Sequence, residues 1–353
     1  METSPRRSGV SGRSAGSSAG TVARVRDSVL GRGGVGPVRR RPRSFESRAL
    51  PVIAVAALAL GSLGFESLRP APVSPAVTAQ IEEIAATTQF PVEVNAQVEK
   101  WMRRFMTDQR GTFQIFLGRE AIYADLIQGK LRDRGMPDDL LYLAMIESGF
   151  LPRATSKKSA VGIWQFIEPT AAQYGLRVDK WVDERRDPVK ATDAALDYLG
   201  VLHRRYDSWY LAAAAYNAGP SRVDRALGST VGEGAGEQDI YWDIIDHLPR
   251  ETREYVPKLL AATTLARQAE RYGFHVKAAQ PYVFDRVWVP GGTSLQAVAK
   301  ALGLTPARLR DLNPHLIQGA TPPGSSYALR VPKGSSDRVI AAMGGKPLTE
   351  IAN

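Results

Sequence analysis

Between residues 91 and 274 apolar side chains recur every three or four positions, a period that admits helices and little else. Val98, Trp101, Met102 and Phe105 make one stripe. Ala191, Ala194, Ala195, Tyr198 and Leu199 make a second, and Tyr255, Leu259, Leu260 and Thr263 a third. Gly111, Gly135, Gly149, Gly175 and Gly219 fall between the apolar runs, where glycine can take the left-handed backbone that stops a helix. Strand-type alternation hardly interrupts this pattern, so the expected fold is mainly α, with the folded body beginning near Pro91. The stretch "GSTVGEGAGEQD", 228–239, reads as a flexible Gly-rich loop.

The texture changes after Tyr282. An alternating run in "PYVFDRVWVPGG" predicts a strand, Leu295, Val298, Ala299 and Leu302 a helix, and Leu309 and Leu312 a second helix. "YALRVP" predicts a closing strand. The segment 282–334 is therefore expected to be a small α+β unit of strand, helix, helix and strand, with 335–353 as a tail.

At 353 residues the chain is long enough for more than one domain. Its net charge of +10 would suggest nucleic acid if it were spread over the body. Residues 1–48, however, hold eleven arginines against Glu2, Asp27 and Glu46, and so carry eight of the ten net charges. The remainder is nearly neutral and offers no broad basic face for a duplex, which argues against nucleic acid as a partner. That basic, Gly- and Ser-rich leader is expected to be disordered. It precedes "ALPVIAVAALALGSLGF", 49–65, an uncharged apolar segment with five arginines just before it. Its length lies between that of a signal-peptide core and a full membrane span, so it is expected to be an export signal or an inner-membrane anchor. Val77 and Ala79 have the spacing a signal peptidase reads, and cleavage stays open. A proline-rich linker, 66–90, follows. The positive flank places the N-terminus on the cytoplasmic side.

The chain has no cysteine, which rules out disulfides, a thiol nucleophile and a lipid-bearing N-terminal cysteine. His203, His247, His275 and His315 have no ligand spacing, so neither a metal nor any other cofactor is expected.

The chemistry is sought in "LAMIESGF", Leu143 to Phe150. Pro137, Asp138 and Asp139 suit the positive start of a helix, and from there Leu140, Leu143, Ala144 and Glu147 share a face. A carboxyl in line with a buried stripe loses solvation of its charged form, and its pKa rises toward the range of a proton donor. Alternatively, Glu147 curls out to water. Three further stretches set polar side chains into apolar helices: "AVGIWQF" with Gln165 and Phe166, "AAYNAG" with Tyr216 and Asn217, and "ETREYVPKLLAA" with Tyr255. Amides that donate and accept, beside flat rings with hydroxyls, suit an uncharged, hydroxyl- and amide-rich ligand such as a sugar. Core packing for the rings and capping for the amides is the plain alternative, and for Ser148 a local bond at the helix end.

Together "LAMIESGF", "SAVGIWQF", "WVDERRDPVKATDAALDYL", "WYLAAAAYNAG" and "ETREYVPKLLAA" resemble, in order and spacing, the motifs of lytic murein transglycosylases, most nearly the membrane-bound type D enzymes. The similarity spans roughly 92–274, and "GGTSLQAVAKALGLTPARLRDLNP" with "LRVP" is similar to a LysM module. The resemblance implies a lysozyme-like helical SLT domain, 91–277, followed by a glycan-binding module, with peptidoglycan glycan strands as the partner of both. It implies that Glu147 alone is catalytic. Glu147 would protonate the β-1,4 bond between N-acetylmuramic acid and N-acetylglucosamine, then act as base as the muramyl 6-hydroxyl closes a 1,6-anhydro ring. It implies substrate roles for Ser148, Gln165, Phe166, Tyr216, Asn217 and Tyr255, and makes "DERRDP", 183–188, a structural turn tied by ion pairs. A hydrolytic muramidase on the same scaffold and a silent peptidoglycan-binding scaffold are the competing readings. If the C-terminal unit is independent, removing 282–353 should weaken binding through lost avidity and leave turnover.

Overall fold

A computed structural model describes residues 90–230, 240–277 and 279–347. The expectations for the leader, the apolar segment 49–65, the linker and most of the Gly-rich loop lie outside these residues. Among the described residues no helix is long and apolar enough to cross a membrane.

The first body is helical throughout. In chain order it comprises α1 (Ala96–Met106), α2 (Arg110–Arg132), α3 (Leu141–Ser148), α4 (Glu168–Gln173), α5 (Pro188–Tyr206), α6 (Trp209–Ala218), α7 (Pro220–Thr230), α8 (Ile240–Ile244) and α9 (Arg250–Arg267). The expected stripes are the buried faces: Val98, Trp101, Met102 and Phe105 on α1, and Tyr255, Leu259, Leu260 and Thr263 on α9, all face one apolar core. The starts are capped by short acceptors. Asn95 takes the amides of Gln97 and Val98, Ser208 that of Leu211, and Asp187 those of Val189 and Lys190. Gly111 departs from expectation. It lies inside α2, because the break between α1 and α2 is made by the turn at Thr107–Gln109 and a residue in a helix's first turn needs no left-handed backbone.

α3 and α6 form the middle of this body. Residues Leu141 to Ile146 of α3 and Tyr210 to Ala215 of α6 are all buried, so these helices have no polar side until their last residues. The one-sided stripe proposed for α3 is thus too narrow; the helix is surrounded. Its entry is a 3-10 turn, Asp138–Leu140, in which Asp139 is buried and takes the guanidinium of Arg267 from α9.

α9 continues through Pro257, which has no amide hydrogen and leaves the carbonyl four residues back without its helical partner. That carbonyl, of Arg253, accepts instead from the hydroxyl of the fully buried Tyr241, which also reaches the carbonyl of Thr252. The proline is tolerated because a side chain from α8 replaces the missing donor.

The second body pairs β1 (Asp285–Val289) antiparallel with β2 (Tyr327–Val331), with α10 (Leu295–Leu302) and α11 (Pro306–Leu312) between them in sequence. This is the expected strand–helix–helix–strand order. The residues read as a tail add α12 (Ser336–Met343) and a short β3 (Lys346–Pro347) against β1, giving the order β2-β1-β3. Val339 is buried in this body's core, with Ile340 and Met343 packed at its side, and these three residues hold the extra helix in place. Val182 and Trp181, from the loop before α5, belong to the same apolar cluster. The core of the second body therefore takes in Val182 of the first, with Trp181 packed against it.

Candidate active site

A groove with a volume of ≈ 940 Å³ opens where the ends of α3 and α6, the loop before α4, and the start of α9 meet. Glu147, Gln165, Phe166, Tyr216, Asn217 and Tyr255 all line it. Residues from four separate stretches, up to 108 positions apart, are brought to one wall.

Glu147 is the penultimate residue of α3 and is half-buried. Its Oε1 accepts a 2.6 Å hydrogen bond from the hydroxyl of Tyr255. Burial pushes the carboxyl up to about 7 from the usual 4.5, against the opposing pull of the Tyr255 hydroxyl and the Lys258 ammonium. A carboxyl in that range is half protonated near neutrality, as a group that must both give and take a proton requires. The chain turns sharply after it for a steric reason. Gly149 has φ +59, and a Cβ there would lie 2.1 Å from the ring of Phe116 on α2. The "ESG" sequence thus ends the helix one residue past the acid and lets the next segment leave the groove.

Ser148 does not line the groove. Its hydroxyl donates to the Ile163 carbonyl at 2.8 Å and accepts from the Leu151 amide at 3.2 Å, joining the end of α3 to the loop that carries Gln165. That loop is closed by reciprocal bonds between Val161 and Phe166, at 3.0 and 3.1 Å. At its tip Gln165 adopts φ +51, a left-handed backbone unfavourable for a residue with a side chain, and its amide nitrogen reaches back to the Gly162 carbonyl at 2.9 Å. Trp164 faces away, fully buried, with its indole N–H on Thr192 at 2.9 Å. Its carbonyl takes the hydroxyl of Tyr216 at 2.8 Å. Asn217 accepts from Thr252 at 2.9 Å through its side-chain oxygen, and its amide nitrogen donates to the Glu251 carboxylate.

Several lining residues carried no functional weight in the sequence. Lys258 lies three residues after Tyr255, so it shares the groove-facing side of α9; its ammonium is fixed on the Ile146 carbonyl at 2.9 Å. Trp101 looked like plain core. It is largely buried, but its indole N–H donates to Glu254 at 2.7 Å beside the groove. Two more acids, Glu251 and Glu254, line the wall, and both are held below the usual carboxylate range. For Glu251 the main cause is the Lys158 hydrogen bond; for Glu254, burial pushes the other way and is outweighed by bonds from Lys100 and Trp101. The "DERRDP" turn lies outside the groove: Asp183 is paired with Arg185 at 2.8 Å and Asp187 caps α5.

The transglycosylase SLT domain family matches residues 126–238, and the LysM-like domain of lytic transglycosylase MltD matches residues 283–343. Membrane-bound lytic murein transglycosylase D of Escherichia coli is 32% identical over 249 residues, covering 69% of this chain and 54% of that protein. Membrane-bound lytic murein transglycosylase C of Edwardsiella ictaluri is 27% identical over 158 residues, 39% of this chain and 44% of that one. Among solved structures, the 70 kDa soluble lytic transglycosylase of Escherichia coli aligns with 42% of this chain and 24% of its own, at 25% identity and a TM-score of 0.36. The chain spans about half the length of the curated relatives it matches. The groove is built largely on the stretch that matches the transglycosylase SLT domain, and the stretch that matches the MltD LysM-like domain follows it, so the chain carries an SLT domain and an MltD-type LysM-like domain in that order.

Proposed function

We propose that the chain is a peptidoglycan lytic transglycosylase that cleaves the β-1,4 bond between N-acetylmuramic acid and N-acetylglucosamine without water. One observation carries this reading: of the three glutamates lining the groove, only Glu147 has its carboxyl raised to about 7, while Glu251 and Glu254 are held as carboxylates by cationic partners at 2.9 and 2.7 Å. A single acid of that kind can run both half-reactions. Protonated Glu147 gives its proton to the glycosidic oxygen, the bond to the muramyl anomeric carbon breaks, and the N-acetylglucosamine side leaves with a hydroxyl. The carboxylate left behind takes the proton of the muramyl 6-hydroxyl as that oxygen bonds to the anomeric carbon. The proton count closes on Glu147, and the product ends in 1,6-anhydromuramic acid.

Tyr255 steadies the carboxylate between the two steps, through a bond to its ionised form. Gln165 and Asn217 meet N-acetyl and hydroxyl groups, and the rings of Phe166 and Tyr216 cover apolar sugar faces. Ser148 serves from behind, joining the acid's helix to the Gln165 loop. The MltD-type module adds glycan contacts to those of the groove. The apolar segment 49–65 fits an export signal or inner-membrane anchor, consistent with an envelope enzyme.

Glu251 supports a second reading, a hydrolytic muramidase, since it supplies an ionised carboxylate in the same groove. The basic test is digestion of peptidoglycan sacculi. The wild-type chain should release soluble muropeptides, and Glu147→Gln should bind sacculi but release none. Wild-type protein that binds sacculi and releases nothing would make the chain a silent scaffold.

A further inference from the structure

The contact between the two bodies is buried and polar. Arg330, on β2, places its guanidinium on both oxygens of Asp187 at 2.8 and 2.7 Å, with the two residues 5% and 1% exposed. Beside this pair the chain segments 180–183 and 315–318 lie together. The Asp183 amide donates to the His315 carbonyl at 2.9 Å, the Ile317 amide to the Trp181 carbonyl at 3.1 Å, and the Gln318 side chain to the Lys180 carbonyl at 2.8 Å. Val182 and Leu316 close the same strip as an antiparallel bridge.

What Arg330 holds leads straight to the groove. Asp187 ends the 3-10 turn Glu184–Arg186 and begins α5. The backbone of that turn is pressed against the Gln165 loop: a Cβ on Gly162 would lie 1.8 Å from the Arg185 carbonyl, so only glycine permits the approach. Side chains tie the same two pieces again. Arg185 reaches the Ser159 carbonyl at 3.4 Å, and Trp164 bonds Thr192 on α5, the helix that the turn leads into. Gln165, whose left-handed backbone persists only while its surroundings hold it, sits at the far end of this chain of contacts.

We propose that Arg330 is a positioning residue for the groove: through Asp187 it fixes the 183–187 turn against Gly162 and so sets the loop that presents Gln165 and Phe166 to substrate. The C-terminal module is then part of the catalytic architecture as well as an added binding surface. The kinetic side of this inference rests on the function proposed above; the structural side does not. A buried pair suits the task because Nη2 of Arg330 sits on both carboxylate oxygens while Nη1 is held by the Tyr282 hydroxyl at 3.2 Å, and removing one partner strands the other charge.

The test uses the full chain with Arg330→Met, and Arg330→Lys, which keeps the charge but cannot hold Asp187 and Tyr282 through separate nitrogens and is the variant to use if Met prevents folding. Amide exchange by mass spectrometry is read at 159–167 and, as a control, over α9, together with kcat and KM on soluble glycan strands. Arg330→Met should raise exchange at 159–167 at least about tenfold while α9 is unchanged, and raise KM about tenfold, because the residues displaced are those that touch sugar. Arg330→Lys should fall between the two. If exchange rises evenly across the chain, or kcat drops with KM unchanged, Arg330 contributes only general stability and the inference is overturned. It is equally overturned if exchange rises at 180–183 and 315–318 but not at 159–167. Should the wild-type chain cleave no glycan, the proposed function falls, and the exchange pattern alone decides the coupling.

Discussion

Glu147 is balanced by opposed forces: burial favours its neutral form, while Tyr255 and Lys258 favour its charged form. The pH behaviour follows. The first proton transfer needs the neutral acid, so kcat/KM should fall as pH rises through about 7. Tyr255→Phe deletes a bond made to the ionised carboxyl, so the limb should move up by about one pH unit, a shift visible in a pH–rate series. Stability has the opposite bearing. The unfolded glutamate releases its proton near its ordinary value of 4.5, the folded one near 7, so across this window rising pH lowers the stability of the folded state. Glu147→Gln carries no such charge. It should match the wild type at pH 4 and exceed it at pH 8 by on the order of 1 to 2 kcal/mol, a figure reduced for the carboxyl's partial exposure, in thermal unfolding at the two pH values. The residue proposed to carry the chemistry is thus expected to weaken the fold.

At the scale of elements, the sequence exposed the buried faces of α1 and α5 because their stripes are one-sided, whereas the stripe read on α9 is only part of a second half buried all round from Leu259 to Leu265. It revealed less of α3, where apolar residues run without a gap and period carries no directional information. The acid itself was legible, as the first ionisable group after such a run. Lys258 and Trp101 were not, because each sits within a pattern that core packing already explains. Nor could periodicity show what lets α9 pass through Pro257, since the substitute donor Tyr241 lies on another helix. Tyr241→Phe should leave the Arg253 carbonyl, which Pro257 cannot serve, without a donor and lower stability by about 1 to 3 kcal/mol in denaturant unfolding. Gly149→Ala should lower it by at least about 1 to 2 kcal/mol, from the left-handed backbone alone, and more because Phe116 must move.

At the scale of the whole molecule, two bodies recognised separately in the sequence turn out to share residues. Composition and local pattern divide the chain near Tyr282 because period and turn chemistry change there. They are blind to a pair such as Asp187–Arg330, 143 positions apart, which only folding brings together. The "DERRDP" turn has its meaning at this scale: it faces the groove loop through Arg185 and the module through Asp187. The central claim remains chemical, that one carboxyl serves twice and the sugar's own hydroxyl replaces water. Digestion of sacculi in heavy-oxygen water, followed by mass spectrometry of the released muropeptides, tests it most directly. The account predicts 1,6-anhydromuramyl ends, one water lighter than hydrolysis products and free of label. Reducing muramic acid ends carrying one heavy oxygen would contradict it.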